Sequence, residues 1–500
     1  MKRGNDKEMN KEKRYNLFLF ILIFLYILSI IIKMPVNNLD EMWNYNFASN
    51  IANGLMPYKD FNMVVTPLLS IVCGIILKIT LKELFVMRIL AAILCSGIIY
   101  FVYKILRLLD IKEELSIIGI FFITYLFKDI FCIDYNYLSL LLVLIIIYKE
   151  IKLYRKDLKF LKVDIKQDII LGIFAGLAIT TKQTSGLLII LALLGNKLLF
   201  IKNKQEFKEY IQSFIYRLIG VSIPVITMLI YLIINNAFYD FINYTILGVA
   251  EFGNKKSYFT LVEKSFTGFL SLLVPVGILH AWIKSVILNK SKEVYIMLIY
   301  GLAIFVVCFP ISDKIHFLIG ALPTIIIIIY ELYTFIQKLL KNKIKKIKLI
   351  LLLMLKYMLT LSLIYYTILN IYNYFQLRGT YSRLNHFSYI PIESNFEKMV
   401  KEVDNYISTN GKVKILDTDA VMYMIPIDKY NKDYDMFNKG NFGANGEERI
   451  INQILTSKDI KYLVLKEEFN KNWQMPLDII NSVKKNKTLI GEIAIFDIYE

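Results

Sequence analysis

Cysteine is scarce in this chain. Four residues in 500, Cys73, Cys95, Cys132 and Cys308, lie in or beside apolar runs. Placed so, they imply no disulfide framework, and none has metal-ligand spacing. Histidine is limited to His280, His316 and His386, and no metal site with defensible ligand spacing emerges. A nucleotide site is missing too. The Gly-rich stretch Gly440, Gly443, Gly446 lacks the strand-then-Gly-x-Gly-x-x-Gly context. Asp417-Thr418-Asp419 imitates a metal-binding Asp-x-Asp but lies in the tail after a β-like run and is not read as a metal site. Acidic residues are in deficit, 42 against 59 Lys and Arg, for a net charge of +17. The excess is dispersed in short clusters between apolar runs. Nucleic-acid binding would want it on one soluble face, so no nucleic-acid partner is expected.

What the chain has is hydrophobic length: 56% of residues are hydrophobic. Apolar runs occur at 15–33, 64–80, 86–104, 115–128, 137–148, 168–181, 185–200, 212–234, 264–285, 294–309, 316–336 and 349–371. Several reach or approach the ~20 residues that cross a bilayer. The first follows a charged N-terminus without a small-residue cleavage site and reads as a retained span. If every run spanned, the basic loops 149–166 and 338–348 would both lie outside, against the positive-inside rule. Removing one early span repairs the parity. The run 64–80, which contains Pro67 and Gly74, is the best candidate and reads as an interfacial or re-entrant helix.

The expected fold is therefore a polytopic α-helical membrane protein of about eleven spans plus one interfacial helix. Its N-terminus is inside and residues 1–375 form the membrane domain, with a first outer loop at 34–85. Residues 376–500 change composition. Short β-like runs at 412–416, 462–466 and 493–499 alternate with helical patterns at 394–408, 445–457 and 476–485. They read as a small α/β domain on the outer face. The expected location is the cytoplasmic membrane.

On this topology the unusual polar residues share one side. Asp40 and Glu41 lie in the first outer loop with Trp43 and Tyr58, Asp134 in the second, and Lys182 at the end of the span from 168. Asp313, Lys314 and His316 sit at a later hairpin, and Arg88 at a span mouth. Bland readings stand beside each. Asp40 and Glu41 suit the first turn of a capped helix, Lys182 a snorkelling lysine, Asp134 and Asp313 helix caps, and the aromatics an interface belt.

Together these motifs resemble the GT-C class of integral-membrane glycosyltransferases, which includes protein mannosyltransferases and the aminoarabinose transferase of lipid A. The resemblance covers roughly residues 15–330. It rests on the acidic pair, the turn Gly54, Pro57, Tyr58, Asp60, the Pro-led helix at Thr66 and Pro67, the segment IDYNYLS, the Lys182-Gln183 pair and the hairpin from Pro310 to His316. It implies a sugar donor on a polyprenyl phosphate, Asp40 as base with Glu41 beside it, and inversion at the anomeric carbon. It further implies Lys182, Lys314, His316 and Arg88 on the donor phosphate, with Asp134, Asp313, Tyr58 and Trp43 toward substrate. The acceptor class stays open among glycan, lipid and protein, with membrane lipid around the spans. Some members use a divalent cation and others do not. A ligase or polymerase of lipid-linked glycans is one alternative. A flippase or transporter is another, although no internal repeat is evident.

Overall fold

The computed structural model describes residues 2–36, 38–157, 160–251, 256–339, 345–376, 382–429, 431–469 and 474–500. The chain begins with helices α1 (Lys2–Ile31), α2 (Leu39–Ala52), α3 (Leu68–Ile79), α4 (Leu84–Leu108), α5 (Glu113–Phe127) and α6 (Tyr135–Asp157). It continues through α7 (Ile165–Thr181), α8 (Gln183–Gly195), α9 (Lys204–Ile234), α10 (Phe238–Ile242), α11 (Phe266–Trp282), α12 (Lys292–Phe305), α13 (Lys314–Leu339) and α14 (Lys345–Gln376). Each apolar run has become a helix, the form that satisfies backbone polar groups within one segment when no water is at hand. Polar residues mark several starts. The side chains of Asn38, Asp164, Ser265 and Ser291 each accept a backbone N–H in the first turn of α2, α7, α11 and α12. Among the described residues, six helices are long and apolar enough to cross a membrane.

The chain divides into two compact units. The first comprises Met1–Ile32, Arg88–Ile226 and Lys256–Phe375; the second comprises Lys33–Met87, Thr227–Lys255 and Gln376–Glu500.

In the first unit, α7 and α9 cross so closely that a Cβ on Gly172 would lie 2.1 Å from the Arg217 carbonyl oxygen. Small residues let helix backbones approach in this way. Beside the crossing lies a buried charge network. Arg217 Nε donates to Asp168 Oδ1 at 2.8 Å, and its second terminal nitrogen lies 2.8 Å from Glu150 Oε1. Asn196 Nδ2 donates to the other Glu150 oxygen at 2.7 Å, and Lys197 Nζ donates to Ser213 Oγ at 2.9 Å. Two acids and two bases thus balance inside the bundle, the condition under which buried charge is tolerable. The network ties α6, α7, α8 and α9 at the end where α7 begins.

In the second unit, α3 packs on α2. Leu69, Cys73 and Leu77 are buried there, whereas Val72, Ile75 and Ile79 remain exposed. An apolar helix of 12 residues with a second apolar face outward fits the interfacial reading of 64–80 better than a span. The C-terminal part adds helices α15 (Ser394–Asn410), α16 (Ala420–Met424), α17 (Gly446–Thr456) and α18 (Leu477–Asn486). Its strands are β1 (Val413–Leu416), β2 (Lys461–Leu465), β3 (Leu489–Ile493) and β4 (Phe496–Tyr499), ordered β1-β2-β4-β3. β1 and β2 are parallel, with Ile415 beside Leu463; β4 runs antiparallel to both β2 and β3. The fold class is the expected one: a polytopic helical membrane protein with a small C-terminal α/β part.

Candidate functional site

The first unit gathers three of the segments singled out in the sequence. The loop before α6 places Asp134 in a buried position, where its Oδ1 accepts the backbone N–H of Asn136 at 2.7 Å. Burial raises the Asp134 pKa above the usual carboxylate range, against the Asn136 hydrogen bond and the charges of Lys182 and His316. Asn136 in turn presents its side-chain oxygen to Lys182 Nζ at 2.7 Å. Lys182 is the single extended residue between α7 and α8, so its side chain leaves from a break between two helices. Its ammonium also lies 5.4 Å from the Tyr135 ring centroid, within cation–π range.

The hairpin before α13 supplies the other half. Asp313 Oδ1 accepts the backbone N–H of His316 at 2.9 Å and lies 2.9 Å from its ring Nδ1. Burial pushes the Asp313 pKa up, but hydrogen bonding and charge from His316 prevail, so the net direction is downward. The buried Cys308 thiol lies 3.5 Å from the His316 carbonyl oxygen. Lys314 turns elsewhere, lying 3.9 Å from Asp129 with nearly half its side chain exposed. Arg88 is 1% exposed, which for an arginine demands paired polar surroundings. Thus Asp134, Lys182, Asp313 and His316 gather at one end of the bundle, and Lys314 lies at its margin.

Asn136 joins this cluster although the sequence reading did not single it out. The available signal was a polar pair, Asp134 and Asn136, flanking Tyr135 at the start of an apolar run. Among the described residues no group of three or more His, Cys, Asp or Glu could hold a metal ion.

The second unit holds the acidic pair. Asn38 Oδ1 accepts the backbone N–H groups of Asp40 at 3.0 Å and Glu41 at 3.3 Å. The pair therefore opens α2 as the first turn of a capped helix, where the helix dipole favours negative charge. Glu41 is buried and Asp40 half-buried. Trp43 Nε1 is buried without a hydrogen-bond partner among the described residues. Tyr58 is fully buried, with its hydroxyl on the Val65 carbonyl at 2.7 Å and its ring against Phe241. That placement leaves no ring face open to a sugar and gives Tyr58 a packing role.

Around α2 the second unit draws in distant chain. α16 packs on α2. Asp433 takes two hydrogen bonds from Arg449, at 2.7 and 2.8 Å, and one from Asn62 at 3.1 Å. His386 sits between Asp428 Oδ1 and the Lys82 carbonyl oxygen, 2.5 Å from each, while its own carbonyl accepts the Leu84 N–H at 2.9 Å. Segments 56–66, 80–87, 382–429 and 431–449 are thereby held in one unit.

No family model matches the sequence, and no curated protein matches it. Comparison of folds gives a different result. The chain is similar to ArnT from Cupriavidus metallidurans in two crystal structures. With the structure bound to undecaprenyl phosphate it shares 10% identity and a TM-score of 0.56, over 97% of both chains. With the apo structure it shares 10% identity and a TM-score of 0.57, over 98% of both chains. ArnT is an aminoarabinose transferase of the GT-C class. The fold here is thus similar to that of ArnT over nearly the whole chain, the C-terminal α/β part included.

Proposed function

We propose that this chain is a membrane glycosyltransferase that moves a sugar from a polyprenyl-phosphate donor to an acceptor at the outer face of the cytoplasmic membrane. The observation that carries this reading is the fold likeness over nearly the full length to a protein crystallised with undecaprenyl phosphate. The polar cluster supports it. Lys182, aimed by Asn136, provides a cation for the donor phosphate, with His316 nearby and Lys314 and Arg88 as further cationic groups. In the step we infer, the acceptor oxygen attacks the anomeric carbon as the bond from that carbon to the phosphate oxygen breaks. Asp40 receives the acceptor proton, Glu41 orients it, and the phosphate leaves with its charge offset by Lys182. A single displacement inverts the anomeric centre. Asp134, Asp313 and Trp43 are assigned to substrate.

The test is transfer of radiolabel from a polyprenyl-phosphate hexose to a membrane or wall extract by purified protein in lipid. Wild type should release label from the lipid, and Asp40→Asn should lose transfer while still inserting and folding. Full activity in Asp40→Asn would overturn the base assignment. Failure of wild type across a panel of sugars, with labelled lipid instead moving across a liposome bilayer, would overturn the transferase reading.

A further inference from the structure

The first unit has a second polar concentration, at the opposite end of the same helices. α6 is 23 residues long, about 34 Å at 1.5 Å per residue. Asp134 precedes its first residue and Tyr154 lies in its last turn. α7 likewise runs from Asp164, its cap, to Lys182. Around Tyr154 a cleft of about 1040 Å³ opens between the α6–α7 connection, the segment joining α8 to α9, and the start of α12. Its walls include the aromatic rings of Phe160 and Phe200, and its charged lining includes Lys162, Lys202 and Lys292 against Glu206 and Glu209.

Two of these lysines, Lys202 and Lys292, are poorly compensated. Lys292 Nζ donates to the neutral Asn289 Oδ1 at 2.7 Å and lies 2.9 Å from the Phe200 ring centroid. Lys202 is near enough to repel it electrostatically. Among the described residues neither ammonium has a carboxylate within salt-bridge distance. Glu206 spends a carboxylate oxygen on the Lys202 backbone N–H at 2.7 Å, and Glu209 accepts from Gln205. The lining carries three lysines against two carboxylates, and neither carboxylate is within salt-bridge distance of Lys202 or Lys292, so the positive excess favours an anion there. Large apolar side chains within two residues of its lining in sequence stand exposed: Ile165, Leu198, Leu199 and Phe207. An anion site with an apolar apron matches a lipid headgroup better than a freely soluble anion.

We infer that this cleft binds the phosphodiester headgroup of an anionic membrane phospholipid, with Lys202 and Lys292 on the phosphate and the acyl chains along the exposed apolar residues. The inference is independent of the proposed transferase reaction. A free phosphate shares the headgroup's chemistry, so the experiment separates the two. Full-length protein in non-ionic detergent is titrated with phosphatidylglycerol, with phosphatidylcholine and with inorganic phosphate, following the thermal unfolding midpoint. Phosphatidylglycerol should raise the midpoint more than phosphatidylcholine does. Each lysine near a lipid surface contributes about 1 kcal/mol, so the half-maximal phosphatidylglycerol concentration should rise about 10- to 30-fold in Lys202→Gln/Lys292→Gln. Lys202→Arg/Lys292→Arg should restore the wild-type response, which a folding defect of the Gln pair alone would not explain. Equal responses to the two lipids, an unchanged response in the Gln pair, or an equal response to inorganic phosphate would each overturn the lipid site.

Discussion

Lys182 shows how a single side chain is aimed. It ends one helix and begins the next, and its ammonium rests on the Asn136 side-chain oxygen. Charge-assisted hydrogen bonds contribute about 1.5–3 kcal/mol. On the proposed mechanism, Lys182→Ala should raise the donor KM roughly 10- to 100-fold, as read by donor titration. Asn136→Ala keeps the charge but frees its direction, so its effect on donor KM should be smaller. An unchanged donor KM in Lys182→Ala would place the phosphate elsewhere. Lys182, Asp134 and His316 were legible in the sequence because charge at the end of an apolar run stands out. Asn136 was not, because an uncharged amide among tyrosines carries no such contrast.

Asp435 gives a residue-scale prediction of another kind. It is fully enclosed, with Oδ1 accepting the Asn431 N–H at 2.8 Å and Oδ2 without a partner among the described residues. Burial pushes its pKa up to about 7, helped by the nearby Asp433 and opposed by the Asn431 hydrogen bond and Lys414. An acid whose folded pKa is raised binds more protons folded than unfolded between those two pKa values. Its contribution is therefore most favourable below about pH 4 and is lost as pH climbs toward 7, by up to ~4 kcal/mol. Asp435→Asn removes the ionisable group. It should flatten the loss of stability across pH 4–7 and raise the unfolding midpoint at pH 8 relative to wild type. Parallel pH profiles for the two proteins would contradict the buried-acid account.

At the scale of elements, helices were the most legible feature. Long apolar runs leave the backbone one economical solution, and the charge at their ends located the breaks. The short run 64–80 was set apart by charge parity, and its α3 carries one face on α2 and one outward. That contact depends on Gly74. A Cβ there would lie 2.8 Å from Ile51 Cβ and 3.0 Å from the Ala48 carbonyl oxygen. Gly74→Val should force α3 away from α2 at a cost of about 1–3 kcal/mol, seen as a lower unfolding midpoint. Ile75→Ala, on the exposed face, should leave the midpoint nearly unchanged. Equal effects would mean that α3 is held by something other than its packing on α2. In the tail, β1, β2 and β4 were legible through their apolar runs. β3 escaped notice because Leu489–Ile493 is an edge strand whose side chains are mostly exposed, so no alternation between buried and polar positions marks it.

For the whole molecule, composition and charge parity lead to the membrane class, but not to the grouping of the chain into units. The second unit joins the segment after α1 to a tail more than 300 residues away, through contacts that leave no sequence pattern. Asn62 reaches Asp433 and the Asn441 carbonyl, and Tyr244 reaches Asp433 from a third segment at 3.5 Å. These are amides, a phenol and a carboxylate in unremarkable local sequence. Their meaning lies only in their convergence, and the two-pronged Arg449 is what offsets the buried Asp433 charge. If Asp433 is the knot of the unit, Arg449→Met leaves a buried carboxylate without its cation and loosens all three strands of chain together. Hydrogen exchange measured by mass spectrometry on full-length protein should then quicken in 56–66 and 241–248 as well as in α17. Faster exchange confined to α17 would instead describe a tail that folds by itself and merely touches the loops. Because α16 of that tail packs on the helix that opens with Asp40, the first outcome also implies that Arg449→Met lowers transfer without touching any residue assigned to the reaction.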